Sequence, residues 1–422
     1  LNAEKFIADR IARSEQNKGN ISRPIVKIGV TGIAIGVAVM LLTVSIVLGF
    51  KKEIVKKITG LTTDIVISNV NINASNEPEP LVISKDSLAA IQGFPGIKHL
   101  QRTAFKNGLL KTEKENEGVL LKGVDSAYDF SFLQAHLQSG SLLHFSDSAA
   151  SRDLLLSAEL ARKLGIQLND RLMVYFLIQY EKLDSLTGET MVVTDQASRR
   201  LKVSGIFETG FSDYDRQLGI VDLRLLQVLN HWSPDLCGSY EIQVQDFEKV
   251  EEGLEAVQEY LGYNYNVRSV REIYSNIFVW LDKLDINGII VVVLMILVAT
   301  INMVTALLIL MLERANMVGL VKAFGMSNRS VRQVFLKISF RLVGRGMLFG
   351  NATGLFLCWL QYQFHLVGLD ANTYYVKYVA IEWNWTYILL LNAGTLVACA
   401  LMLFLPTLIL TKMTPVKTLK FD

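Results

Sequence analysis

Residues 28–50 read IGVTGIAIGVAVMLLTVSIVLGF, bracketed by Lys27 and Lys51 with no charge between them. About 20 such residues, at 1.5 Å rise each, cross the ~30 Å hydrocarbon core of a bilayer. The charged leader of residues 1–27 is too long for a cleaved signal peptide, and no small-residue cleavage pattern follows, so this stretch is expected to stay in the membrane. Three further charge-free stretches follow at 287–312, about 346–360, and 386–410. The third is diluted by Gly350, Asn351 and Gly354 and needs part of its flanks. An up-and-down bundle still requires it, because otherwise its two flanking loops share one side. The expected fold is an α-helical membrane protein with four transmembrane helices, 25–50, 287–312, 342–363 and 386–411. A large mixed α/β extracytoplasmic domain, 51–286, is inserted between helices 1 and 2.

Of the 422 residues, 51 % are hydrophobic and 19 % charged, against about 25 % charged in an ordinary soluble domain. The shortage is local, since 51–286 holds 58 charged residues, roughly the soluble density. A net charge of +2 gives no reason to expect nucleic acid, and the chain is too apolar for disorder. Orientation follows from Lys and Arg in the short loops. Residues 1–27 carry six, 313–345 carry seven against Glu313 alone, and 361–385 has only Lys377. Both termini and the 313–341 loop are therefore expected in the cytoplasm, with 364–385 a short periplasmic loop and 412–422 a cytoplasmic tail. Phe6, Ile7 and Ile11 suggest that 1–24 is an interfacial helix. Lys51, Lys52, Lys56 and Lys57 break the charge rule, but Phe50, Ile54, Ile58 and Leu61 recur at helical spacing. The lysines are expected on the wet face of a stalk continuing the first span.

In the outer domain, apolar alternation suggests strands at 64–68, 118–124, 153–157, 171–178, 200–207 and 239–244, and helices at 85–92, 158–164, 223–229 and 247–261. The polar stretch near 176–200, centred on Leu186, Thr187, Gly188 and Glu189, reads as a protruding hairpin, either a plain surface feature or a docking device. Chemical motifs are missing. There is no phosphate loop, no metal-ligand spacing among the five scattered histidines, and Cys237 is the outer domain's single cysteine. Asp213, Asp215 and Arg216 lie close together, a pattern that usually means solvated surface acids. No catalytic residue, metal site or bound cofactor is expected.

Met317, Leu320, Val321 and Phe324 fall at i, i+3, i+4 and i+7, ahead of Gly325 as a C-terminal stop. The cytoplasmic side has too few residues to build a core, so this stripe must meet the bilayer or, with Arg329 and Arg332 just beyond it, another protein. In the first span Gly29, Gly32 and Gly36 form a smooth ridge for close helix approach. Met40, Val44, Val47 and Leu48 above it are bulky, and Ile290, Leu294, Leu297 and Ile301 share one face of the second span. Lipid exposure, bundle packing and a lipid-accepting cleft would all look alike here.

These residues resemble a family. One span, a large outer domain and three spans is the arrangement of FtsX/MacB-like ABC transporter permeases, and the blocks are most similar to lipoprotein-releasing permeases of the LolC/LolE type. The matching blocks are Phe6-Ile7-Ala8, 32–37 (GIAIGV), Ser45 and Gly49-Phe50 in the first-span signature, then Gly123-Val124-Asp125, 156–165 (LSAELARKLG) and 203–210 (VSGIFETG). The coupling segment 319–325 (GLVKAFG) and the ending from Pro406 to Pro415 and Asp422 complete the series, in order along nearly the whole chain. Met317 stands where the family often has Glu, and 408–410 (LIL) replaces a basic stretch.

The resemblance implies a non-catalytic permease of a bacterial inner membrane, paired with a second permease subunit, identical or paralogous, over cytosolic ABC ATPase subunits that bind the ATP and Mg. Met317, Gly319, Leu320, Val321, Lys322, Phe324 and Gly325 would form the ATPase-coupling element. A lipoprotein substrate, held between first and second spans of facing subunits, would pass from membrane lipids to a periplasmic lipoprotein carrier. The hairpin falls where such subunits dock that carrier, a correspondence of position and not of sequence. A signalling permease of the FtsX type, regulating a cell-wall hydrolase, and an exporter of small molecules or peptides of the MacB type are the alternatives.

Overall fold

The computed structural model describes residues 22–71, 77, 79–112, 115–146, 149–183 and 190–409, with side chains left undescribed at 22–26, 179–183, 190–192, 372 and 404–409. Most of the expected N-terminal helix, the hairpin tip Leu186, Thr187, Gly188 and Glu189, and the tail 412–422 lie outside the described residues. Two compact units emerge. One is helical, from the described parts of Leu1–Lys52, Trp280–Gly368 and Tyr378–Asp422; the other is α/β, from Glu53–Val279 and Leu369–Lys377.

Among the described residues the α/β unit holds ten strands in one sheet: β1 (Ile65–Asn69), β2 (Ile97–Lys111), β3 (Asn116–Val124), β4 (Leu137–Gly140), β5 (Asp153–Ser157), β6 (Arg171–Leu183), β7 (Thr190–Phe207), β8 (Leu218–Asp222), β9 (Ser239–Val244) and β10 (Tyr265–Ser269). Their order is β10-β1-β9-β2-β3-β8-β5-β7-β4, and β6 pairs with both β7 and β2. Strands β2, β3, β8, β5, β7 and β6 therefore close into a circuit. The long β2 makes this possible, because 97–103 pairs with β9 while Leu109–Lys111 pairs with β6. Leu121, Leu154, Leu156, Val174, Phe176, Leu201 and Val203 fill the core. Local chemistry sets the short helices. Ser157 caps Ala158–Leu164 by accepting the Leu160 N–H at 3.2 Å, and Gly165 ends it at φ 65°.

Several expected elements sit where alternation put them, but β2, β4, β8 and β10 were not among them. The reason is plainest in β2, where Gln101, Thr103 and Lys106 are all buried. Their partners Glu241, Ser239 and Glu77 lie far off in sequence. A polar residue satisfied at long range breaks the pattern on which strand reading rests.

The helical unit is built on α1 (Ser22–Thr62), α2 (Ser275–Glu313), α3 (Ala315–Ala323), α4 (Asn328–Phe364) and α5 (Trp385–Ile409). Three described helices are long and apolar enough to cross a membrane: Lys27–Thr62, Ser275–Glu313 and Trp385–Leu403. The expected third span is the later part of α4, which starts earlier than the sequence suggested. Ser327 caps α4 by accepting the Ser330 N–H at 3.2 Å, and Val331, Val334, Phe335, Ile338 and Leu342 are buried at helical spacing. Much of the expected cytoplasmic loop is thus helix.

Small residues bring α1 close to two neighbours. A Cβ on Gly32 would lie 2.6 Å from Asn302 Nδ2 of α2, and one on Gly350 of α4 would lie 2.6 Å from the Ala34 carbonyl. Asn351 and Asn392 exchange amide hydrogen bonds of 2.7 and 2.9 Å, tying α4 to α5. Phe50, Ile54, Ile58 and Leu61 are all buried, on a helix that runs to Thr62. Of the stalk lysines, Lys52 and Lys56 are exposed as expected, Lys52 pairing with Glu382 at 2.6 Å. Lys51 is half-buried and pairs with Asp285 at 2.7 Å, and Lys57 is buried instead of facing water.

Candidate functional site

The short helix α3 divides its apolar residues between two faces. Val318 is buried in the cluster of Met311, Val331, Val334 and Phe335, and Gly319 is buried beside it. Leu320 and Phe324 point outward, with Phe324 83 % exposed, while Met317, Val321 and Lys322 are half-buried. The helix stops because Gly325 takes φ 91°, which lets the Met326 N–H reach back to the Val321 carbonyl at 3.2 Å. The result is a helix anchored along one edge that offers an aromatic and a leucine along the other.

On α2, Ile290, Leu294, Leu297 and Ile301 form one open apolar face, each about half exposed. The residues that the sequence drew together with them on α1 are placed differently. Met40 is fully buried, packed in the bundle with Ile33, Val37, Ala299 and Met303. Val44, Val47 and Leu48 are half-buried, and Val47 lies against Gly288 of α2. In the α/β unit, β6 and β7 pair without a break from Arg171↔Lys202 to Leu183↔Thr190, so a long two-stranded hairpin carries the segment 184–189. At its base, Asn107, Leu109, Tyr175, Leu177 and Gln196 line a cavity of about 560 Å³.

Among the described residues, no group of three His, Cys, Asp or Glu side chains could hold a metal ion. Burial pushes the Cys237 thiol up to about 12, so it stays protonated at neutral pH. The acids near 213–215 need a correction. Asp213 and Arg216 are exposed, but Asp215 is 4 % exposed and accepts the Thr209 and Gly210 N–H groups at 3.1 and 2.7 Å. It organises a turn where the sequence suggested a solvated surface.

Sequence reasoning also passed over a buried charge. The Lys122 ammonium lies 2.8 Å from Glu241 Oε1, and both side chains are 1 % exposed. Lys122 also donates to the Leu61 carbonyl in the last turn of α1 and sits 5.0 Å from the centre of the Tyr128 ring. Burial opposes its charge, but the Glu241 carboxylate overcomes that and holds Lys122 above the ordinary lysine value. A lysine in a strand between Leu121 and Gly123 gives no local sign of this role.

Asp64, at the entry to β1, is a second interior acid. It accepts the Val244 N–H at 2.8 Å, yet burial raises its pKa from 3.8 to about 6, with Lys98 the nearby charge opposing the shift. Such a carboxyl binds its proton more tightly when folded. Its stabilising contribution is present below about pH 4 and is lost as pH rises through about 6. Asp64→Asn keeps an acceptor for Val244 and removes the titration. Thermal melts of the full chain should show the variant gaining on the wild type by about 2 kcal/mol between pH 4 and 7. A constant difference across that range would contradict the assignment.

The sequence model of the MacB-like periplasmic core domain matches residues 28–260, and that of the FtsX-like permease C-terminal domain matches 289–415. The chain is similar to the lipoprotein-releasing system transmembrane protein LolC of Xylella fastidiosa (strain 9a5c), 22 % identical over 423 residues that cover 98 % of this chain and 97 % of the relative. It is also similar to LolE of Haemophilus influenzae, 21 % identical over 431 residues, or 99 % of each chain. Among solved structures, the periplasmic region of MacB from Actinobacillus actinomycetemcomitans aligns with 52 % of this chain and 95 % of its own length, at 13 % identity and TM-score 0.33. With more than half of its residues in the first match, the chain belongs to the family of the MacB-like periplasmic core domain and is an ABC transporter permease of the FtsX/MacB-like kind.

Proposed function

We propose that this permease is the transmembrane subunit of an ABC complex that extracts lipoproteins from the outer leaflet of a bacterial inner membrane and passes them to a periplasmic carrier. The observation that carries the proposal is the end-to-end correspondence with lipoprotein-releasing transmembrane proteins, over 98 % of this chain and 97 % of the relative. In this reading the later part of α4 supplies the third of four spans, both termini are cytoplasmic, and two permease subunits, identical or paralogous, sit over separate ATPase subunits that bind ATP and Mg.

The physical problem is the lipid anchor. Each methylene removed from a bilayer costs about 0.8 kcal/mol, so a triacylated anchor laid bare to water would cost tens of kcal/mol. An apolar cleft and direct hand-over avoid that state. The open face of Ile290, Leu294, Leu297 and Ile301 would line one wall, and Val44, Val47 and Leu48 of the facing subunit the other. Met40, inside the bundle, would be reached only where α1 and α2 part. Leu320 and Phe324 would seat in the ATPase groove, and α1, helical without interruption from Ser22 to Thr62, would carry the movement outward. The hairpin, with Leu186, Thr187, Gly188 and Glu189 at its tip, would hold the carrier in place for the transfer.

Photocrosslinking from Leu48 and Leu294 in membranes tests the proposal, with a lipoprotein antibody as readout and ATP as the variable. The expected result is a lipoprotein adduct that disappears when ATP and carrier are supplied. An assembled complex that hydrolyses ATP but gives no adduct at either position would overturn extraction and leave a signalling permease as the better account.

A further inference from the structure

The turn 208–215 between β7 and β8 touches each segment through which the α/β unit continues into the long helices. Its shape is fixed by Asp215, which accepts the Thr209 hydroxyl at 2.9 Å and the Gly210 N–H at 2.7 Å, with Gly210 at φ 69°. From the outer end of α1, Lys57 donates to the Gly210 carbonyl at 3.3 Å, and Thr62 Oγ1 lies 3.4 Å from the Tyr214 hydroxyl. Tyr274, the residue before α2, places its hydroxyl 2.5 Å from that of Tyr214. The third segment, Leu369–Lys377, lies between α4 and α5 in the chain. Its Tyr375 ring stacks on Phe211 with centres 5.0 Å apart, and Lys377 pairs with Glu208 at 3.0 Å. Lys57 joins two of these strangers directly, because its ammonium also donates to the Tyr375 carbonyl at 3.1 Å.

Phe211 is fully buried at the centre, against Tyr214, Tyr274 and Tyr375. Such convergence is more than packing requires. The segment 369–377 closes on itself through the Leu369 N–H and the Lys377 carbonyl at 2.9 Å, so it could stand as a loop without docking anywhere. Instead it places a tyrosine and a lysine on the same eight-residue turn that receives α1 and the start of α2. Burial pushes the Lys57 pKa down; a fixed ammonium aimed at two backbone carbonyls from different segments is a costly device for ordinary cohesion.

We propose that the turn 208–215 is a joint that stays closed through the transport cycle and makes the three connections move the α/β unit as one body, with Lys57 as its positioning residue. The inference rests on the proposed function for its biological readout. Lys57→Met keeps the apolar stem and removes the donor. A merely structural lysine would lower ATP hydrolysis and lipoprotein release together as the complex loses stability. A joint predicts ATP hydrolysis within about twofold of wild type, release down at least tenfold, and partial recovery in Lys57→Arg.

Hydrogen exchange on the assembled wild-type permease–ATPase complex provides a readout independent of the substrate. Peptides covering 208–215 and 369–377 should stay equally protected with and without ATP, and should lose protection together in Lys57→Met. Loss of protection in 369–377 on adding ATP to the wild type would overturn the proposal, as would a loss confined to one of the two peptides in the variant. If Lys57→Met fails to assemble, Tyr375→Ala removes the ring stack and leaves the carbonyl, and the same outcomes apply. A wild-type complex that releases no lipoprotein would defeat the proposed function while the exchange arm still decides on the joint.

Discussion

Replacing Lys122 by alanine is expected to cost about 3–5 kcal/mol of folding stability, because it strands a buried carboxylate. Glu241 is 1 % exposed and would keep the Gln101 amide at 3.0 Å and the Thr103 hydroxyl but lose its cation. The same substitution removes the ammonium donor to the Leu61 carbonyl in the last turn of α1 and leaves it the Tyr128 hydroxyl at 3.5 Å. Glu241→Ala should be comparably damaging, since it leaves the ammonium unpaired. Lys122→Met combined with Glu241→Leu should be milder than either single change. It removes both charges and fills their volume, at the expense of the hydrogen bonds made by Gln101 and Leu61, on the order of 1–3 kcal/mol. Thermal or denaturant unfolding of the solubilised full chain decides the matter. A double variant as unstable as the sum of the singles would mean that the two groups do not act as a pair.

Placing aspartate at both Leu320 and Phe324 is expected to weaken association with the ATPase at least a hundredfold. Apolar anchors at the centre of an interface are worth about 2–4 kcal/mol each, and about 2.7 kcal/mol is already a hundredfold. Folding should be nearly unaffected, because both side chains are exposed and the anchoring edge of α3 is Val318. Co-purification of ATPase with the variant, alongside an unchanged melting curve, measures this. If the ATPase remains bound, the open edge of α3 rests on the bilayer surface instead, and the coupling role of Met317, Gly319, Leu320, Val321, Lys322, Phe324 and Gly325 falls with it.

Much of this architecture was legible in the residues. The helices Lys85–Gln92, Ala158–Leu164 and Leu223–Leu229 and the strands Asp153–Ser157 and Ser239–Val244 lie where periodicity put them. The three helices are short and capped by their own sequence, at Ser84, Ser157 and Asp222. The ridge of Gly29, Gly32 and Gly36 meets Ala306, Asn302 and Ala299 of α2, because small residues leave few other uses for such a face. What stayed hidden has one common cause. Lys57, Lys106 and Lys122 are charged residues whose partners come from distant segments. Read locally they look wet, and nothing nearby in sequence announces the carbonyl or carboxylate that receives them. The candidate site divides along the same line. The open faces of α2 and α3 follow helical spacing, whereas Met40, on the same kind of stripe, is consumed by packing against Ala299 and Met303.

The placement of β1 has a consequence for how the chain is made. Among the described residues its neighbours in the sheet are β9 and β10, through pairs such as Ile67↔Tyr240 and Ile65↔Ser269. A ribosome adding about 5–20 residues per second must work for on the order of 10–30 s after finishing β1 before those neighbours exist. Throughout that interval both edges of β1 lack their native partners, while α1 already precedes it. Long-range pairing of this kind is slow to form, and β10 is completed only just before α2 begins at Ser275. Closure of the sheet and the start of the second long helix are therefore nearly simultaneous events in synthesis.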